Sequence, residues 1–226
     1  MHKNTKEKEI QTPLINDQRT TKVACSSPIS AAFGTFARIA ISTACLSTAS
    51  CDPISNEVEI RLNPNPIMHY TVDVFVENPP GAFDSVDASV DYGVTDSSCV
   101  PEQPISGARL LPTKKVDLKL KKIGENSYET DMYVDLLHDE NYYSMGVCHW
   151  SLAAITVTAK RRGMAFITPL SGRNFRSSGT EKRYFSFSSY LESAEPVRNM
   201  GNTNRDAYSD PSKTFSIKVV TRETRQ

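Results

Sequence analysis

The densest group of chemically capable side chains in this chain is His138-Asp139-Glu140 followed by Tyr142-Tyr143. An imidazole, two carboxylates and two phenols could in principle move protons or hold a metal. Either task needs side chains that converge on one point, whereas neighbours in an extended loop diverge. The group therefore reads as an acidic, aromatic loop tip. Tyrosine is a frequent anchor at protein interfaces. His138, Asp139, Glu140, Tyr142 and Tyr143 are accordingly the candidate partner-contact residues.

The other candidates reduce to architecture. His149 adjoins Trp150 in an expected strand and reads as a packed or half-exposed histidine. Asn202-Thr203-Asn204-Arg205-Asp206 with Asp210 has oxygens spaced as in a calcium loop. Ala207 stands where such a loop needs glycine, however, and Lys213 where it needs glutamate, so a turn-rich connection is expected. Ser186, Ser188 and Ser189 fall in an expected strand with no histidine close in sequence. Arg161-Arg162, and later Arg173 with Arg176, form a basic region that could meet an acidic partner, although charged turns are ordinarily just solvated. There is no GxSxG, P-loop or dinucleotide fingerprint, and no CxxC or HxxxH spacing for zinc. The expectation is a protein that is not an enzyme and carries no cofactor and no metal.

These residues must be positioned by strands. Tyr128, Thr130, Met132, Val134 and Leu136 alternate with Glu129, Asp131, Tyr133 and Asp135, the period of a half-buried strand. Val147 to Lys160 lacks proline and glycine and is apolar or small on both faces, as in a central strand covered on both sides. Arg161-Arg162-Gly163 supplies a glycine where a hairpin needs positive φ, and Met164 to Ile167 resumes extended. Further strands are expected at Val58–Leu62, His69–Glu77, Val86–Val94, Arg183–Leu191 and Thr214–Thr221. Another, over Val116, Leu118 and Leu120, is lined by lysines, which suits a sheet edge because charge discourages pairing with a second molecule. About nine short strands between Pro/Gly/Asn loops, without a convincing long helix, predict an all-β, antiparallel β-sandwich. The order Cys99, Cys148, Trp150 is not the Cys, Trp, Cys order of antibody domains, so the sandwich is immunoglobulin-like at most in architecture.

The 226 residues divide into a head, 1–51, and one sandwich domain, 52–226. Net charge is zero, which gives no support to nucleic acid as a partner. The head holds six of the 26 basic and three of the 26 acidic residues, leaving a slightly acidic body. Met1 to Thr21 is too hydrophilic to fold alone. Ile39 to Cys51 is uncharged, lies behind Arg38 and ends in small residues, which suits a secretory signal; it is too short to span a bilayer. The alternative is a Ser/Thr-rich linker on a cytoplasmic protein.

Thr48-Ala49-Ser50-Cys51 resembles the end of a bacterial lipoprotein signal, which implies lipidation of Cys51 and a membrane anchor. Thr48 stands where that signal prefers leucine. With Cys51 lipidated, Cys99 and Cys148 remain as an even pair, either one disulfide in an exported domain or two buried thiols in a reducing compartment. The run Gly146-Val147-Cys148-His149-Trp150, preceded by Tyr128 and Asp135, resembles a pattern in small bacterial envelope lipoproteins. Some of these are described as immunity proteins of the type VI secretion system. The resemblance implies a periplasmic, lipid-tethered sandwich that binds a protein partner, an incoming antibacterial toxin, and plugs its active site. The alternatives are a structural module of a secretion apparatus, pilus or surface layer, and a ligand-binding β protein.

Overall fold

The computed structural model describes residues 58–192 and 196–224. The head, 1–51, and with it the candidate lipidation site Cys51, lies outside the described residues. In chain order the strands are β1 (His69–Glu77), β2 (Ser85–Val94), β3 (Thr113–Leu118), β4 (Lys121–Lys122), β5 (Ser127–Tyr133), β6 (Trp150–Arg161) and β7 (Met164–Ser171), then β8 (Thr180–Ser186), β9 (Val197–Asn199) and β10 (Thr214–Glu223). Two short helices, α1 (Gly172–Ser177) and α2 (Phe187–Leu191), flank β8. One sheet runs β4-β5-β1-β10-β8 and the other β3-β2-β6-β7-β9. All neighbours are antiparallel except β7 and β9.

The alternation of each strand explains why two sheets form and why they stack. Val72, Val74 and Val76 of β1 point inward and are buried, as are Ile217 and Val219 of β10. Val90 and Tyr92 of β2 and Ile155 and Val157 of β6 meet them from the other sheet. At one end of this core Phe83, Phe166, Phe185, Tyr190 and Phe215 pack as a cluster of mostly tilted and edge-on rings. The antiparallel sandwich is thus present, and β3 lies at a sheet edge, but it ends at Leu118. Of the lysines expected to line it, Lys119 follows the strand and Lys121 falls in β4, while its own lysines are Lys114 and Lys115.

Several expected elements differ. Val58–Leu62 forms only a single bridge, Leu62 to Leu137, because the Pro-containing stretch after Leu62 carries the chain away from any sheet. Strand β6 is central in hydrogen bonding, but only Leu152, Ile155, Val157 and Ala159 are buried. Its threonines face the outer surface half-exposed, so the strand is covered on one side rather than two. The strand expected over Arg183–Leu191 stops at Ser186. There the serine hydroxyl accepts the Ser189 N–H and caps α2, whose Phe187, Tyr190 and Leu191 sit at helical spacing. Strand β9, three residues paired in parallel to β7, was not expected.

The β6–β7 turn does have glycine at positive φ, Gly163 at 86°, and Arg162 joins it at 47°. Arginine tolerates that region poorly. Asp84 compensates, accepting from the Arg162 N–H and the Arg161 guanidinium, each at 2.8 Å. The Arg162 backbone bond, then the Arg161 hydrogen bond, hold the Asp84 carboxyl below its ordinary 3.8. A depressed folded pKa adds stability that is complete above about 3.8 and lost as pH falls below it. The stability difference between wild type and Asp84→Asn, followed by urea melts, is therefore expected to be constant above that pH and to shrink below it. A pH-independent difference would show that the carboxylate charge is not what holds the turn.

One core position is polar without need. Thr168 is fully buried on β7, and its hydroxyl has no hydrogen-bond partner among the described residues. Thr168→Val keeps shape and β-branching while removing that hydroxyl. The variant is expected to gain about 1 kcal/mol, which a thermal melt would register as a rise of about 2–4 °C.

Candidate functional site

At the end of the sandwich opposite the aromatic cluster, the chain between β5 and β6 makes a structured loop. Asp135 anchors its start, its carboxylate accepting the N–H groups of Ile67 and Met68 at 2.9 Å each. Leu136 and Leu137 then enter the core, so the residues after them leave from a fixed point. At the far side, Cys148 N–H donates to Glu140 C=O at 3.0 Å and closes the loop. Within it the Asn141 side chain accepts the Gly146 N–H at 3.1 Å, and Ser144 and Gly146 take the positive φ values that the reversal requires.

The five sequence-selected residues are brought together here and are largely occupied in building the loop. Asp139 accepts the Trp150 N–H at 2.8 Å and meets His149 Nδ1 at 2.7 Å. Glu140 pairs with Arg61 at 3.1 Å. The Tyr142 hydroxyl donates to the His138 carbonyl at 2.6 Å, and its ring stands edge-on to Trp150. Tyr142 and Tyr143 are half-buried against a small second core of Val94, Cys99, Val100 and Cys148. His138 is exposed. The tip is therefore less acidic and less aromatic toward solvent than its sequence suggests, because its charges are paired and its rings face inward.

Cys99 and Cys148 form a disulfide. Both are buried, and the bond joins the loop after β2 to the residue two before β6. Cys148 does not begin the central strand as expected; the bridge to Glu140 holds it in the loop instead. Asp96 caps the short turn that contains Cys99, accepting the Ser98 N–H at 2.8 Å. What the assembly leaves in solvent is Met145 and Val147, 45% and 46% exposed, with His149 beside them. Leu110 and Leu111, on the other disulfide-linked loop, are exposed as well. Of these the sequence singles out only His149, expected packed or half-exposed in a strand, whereas its side chain is 69% exposed and precedes β6. Val147 falls within the expected strand, and a lone methionine in a polar loop carries no pattern.

The remaining candidates lie apart from this loop. Asn202 and Asn204 use their side-chain oxygens on backbone N–H groups two residues on, and Asp210 does the same with Ser212, so this stretch is a run of turns. No group of three His, Cys, Asp or Glu among the described residues is arranged to hold a metal. Arg161 and Arg162 serve the β6–β7 turn, whereas Arg173 and Arg176 lie on α1 and are exposed. Comparison with family models, with curated proteins and with solved structures finds no match to this chain.

Proposed function

We propose that this protein is a non-catalytic binding module of the bacterial envelope. Its disulfide-stapled loop docks on a protein partner, and the activity most in keeping with the sequence resemblance is neutralisation of a secreted toxin by occluding its active site. One observation supports this reading above the others. Met145 and Val147 are held half-exposed on a loop whose Asp139, Glu140, Tyr142 and Tyr143 are spent on fixing its shape. Apolar side chains kept in solvent by a rigid frame lose little conformational entropy on docking, and that saving appears as affinity. On the same reading the chain is exported and tethered through a lipid on Cys51.

The test uses the full chain, exported with its own head, as bait for proteins of the source organism. A stoichiometric partner is expected, one whose expression in the periplasm kills a host and whose killing the protein suppresses. Met145→Asp with Val147→Asp is expected to weaken capture at least tenfold while leaving the melting temperature within a few degrees. Recovery only of the chain itself or of envelope-machine subunits would overturn the toxin reading in favour of a structural module. Undiminished capture by the double variant would move the contact surface elsewhere.

A further inference from the structure

Beside the stapled loop, the same end of the β3-β2-β6-β7-β9 sheet carries a cavity of about 650 Å³. The register explains its position: the last residues of β2, the first of β3 and β6, and the end of β7 all meet there. Helix α1 forms one wall. Gly172 lets it approach closely, since a Cβ at that position would stand 2.2 Å from the Leu152 carbonyl oxygen. Backbone packed directly on backbone fixes where the next residues of the helix project.

Those residues carry the chemistry. Arg173 and Arg176 both line the cavity, three apart on α1 and hence on one face. No acidic residue lines it, and neither arginine is in an ion pair among the described residues. Five of the ten arginines among the described residues, Arg61, Arg109, Arg161, Arg183 and Arg222, do form ion pairs. The hydroxyls of Thr113 and Ser151 add polar points on the walls, while the exposed Leu111 and Ala153 side chains supply apolar surface. Two unpaired guanidinium groups over an apolar recess favour a ligand with one anionic end and one apolar end. Guanidinium presents a planar fork of donors that matches a carboxylate. The volume lies within the range of small-molecule sites and is far larger than a bare inorganic ion needs.

We propose that this cavity binds a small amphipathic organic anion, a carboxylate on a short apolar body. The site is distinct from the loop surface above and does not depend on the partner reading. The carboxylate sits between Arg173 and Arg176, and the body lies against Leu111 and Ala153 toward Gly93.

Gly93 gives an independent handle, because a Cβ there would meet only the Thr113 methyl at 3.9 Å. A larger side chain at that position fills the cavity from its floor without displacing backbone.

The experiment is a titration of the ¹⁵N-labelled full chain with octanoate, and separately with octanol and with acetate. Octanoate is expected to give saturable shifts at the Gly93, Ser151 and Gly172 amides, with octanol and acetate each binding at least tenfold more weakly. Arg173→Gln with Arg176→Gln, both at exposed positions, is expected to raise the octanoate Kd roughly tenfold or more, the scale of one lost charge-assisted hydrogen bond. Gly93→Leu is expected to abolish the shifts while the remaining spectrum stays in place. Octanoate binding that survives the double glutamine variant, octanol binding as tight as octanoate, or no saturable shift at these amides would each overturn the proposal.

Discussion

Replacing Phe166 by alanine is expected to lower stability by about 3–5 kcal/mol. The ring is fully buried on β7. It contacts Phe185 of β8 and Phe215 of β10 in the opposite sheet at centroid distances of 5.3 and 5.1 Å, and it also meets Phe83 and Tyr190. Truncation therefore loses the transfer free energy of the ring and leaves a cavity bounded by four other rings, which cannot all collapse inward. Aromatic pairs add about 0.5–1.5 kcal/mol each beyond area burial. A domain of this kind is stable by only about 5–15 kcal/mol in total, so the urea midpoint should fall by about a fifth or more at unchanged slope. Phe75→Ala, on the half-exposed outer face of β1, is the control and should cost far less. If Phe166→Ala cost under 1 kcal/mol, the aromatic cluster would not be the keystone between the sheets.

How much of this could be read from the sequence depends on how locally each feature is encoded. β1 was legible end to end, because Tyr70, Val72, Val74 and Val76 alternate with Thr71, Asp73 and Phe75 and Asn78-Pro79-Pro80 halts the strand. The edge strand β3 was legible only in part, because Val116 and Leu118 alternate within it while Lys119, Leu120 and Lys121 lie beyond its end. Arg183–Leu191 was misread because its first half alternates with period two, and the helical spacing of Phe187, Tyr190 and Leu191 begins only after the Ser186 cap. β9 has three residues and no periodicity, and only its parallel contact with β7 makes it a strand. The loop before β6 shows the limit more sharply. The sequence located its residues, but Glu140 finds its partner 79 positions away at Arg61, and no local pattern announces such a pair. Asp139 looked like free surface charge because its two partners, the His149 ring and the Trp150 N–H, were assigned to a strand. The cavity beside α1 was equally hidden. Arg173 and Arg176 were visible as charges, while the recess they line is assembled from four strand ends and a glycine that lets a helix approach.

Replacing both Cys99 and Cys148 by alanine is expected to cost about 3–4 kcal/mol, mostly through the unfolded chain. The two residues are 49 positions apart, so the bond removes a large share of the conformations open to the unfolded segment between them. That segment includes β3, β4 and β5 and the whole structured loop. The origin of the loss can be tested. A denatured state freed of its crosslink expands, so the urea slope should rise as the midpoint falls, whereas lost packing alone would lower the midpoint at constant slope. The second signature is kinetic. Cys99 and Cys148 are 1% and 0% exposed, so a reductant reaches them only when the domain opens. In dithiothreitol the native protein should stay oxidised and become reducible at the rate at which urea unfolds it. Rapid reduction without denaturant would mean that this end opens locally. In that event Met145 and Val147 would not be held in a fixed pose, and the rigid-loop basis for partner binding would fail with it.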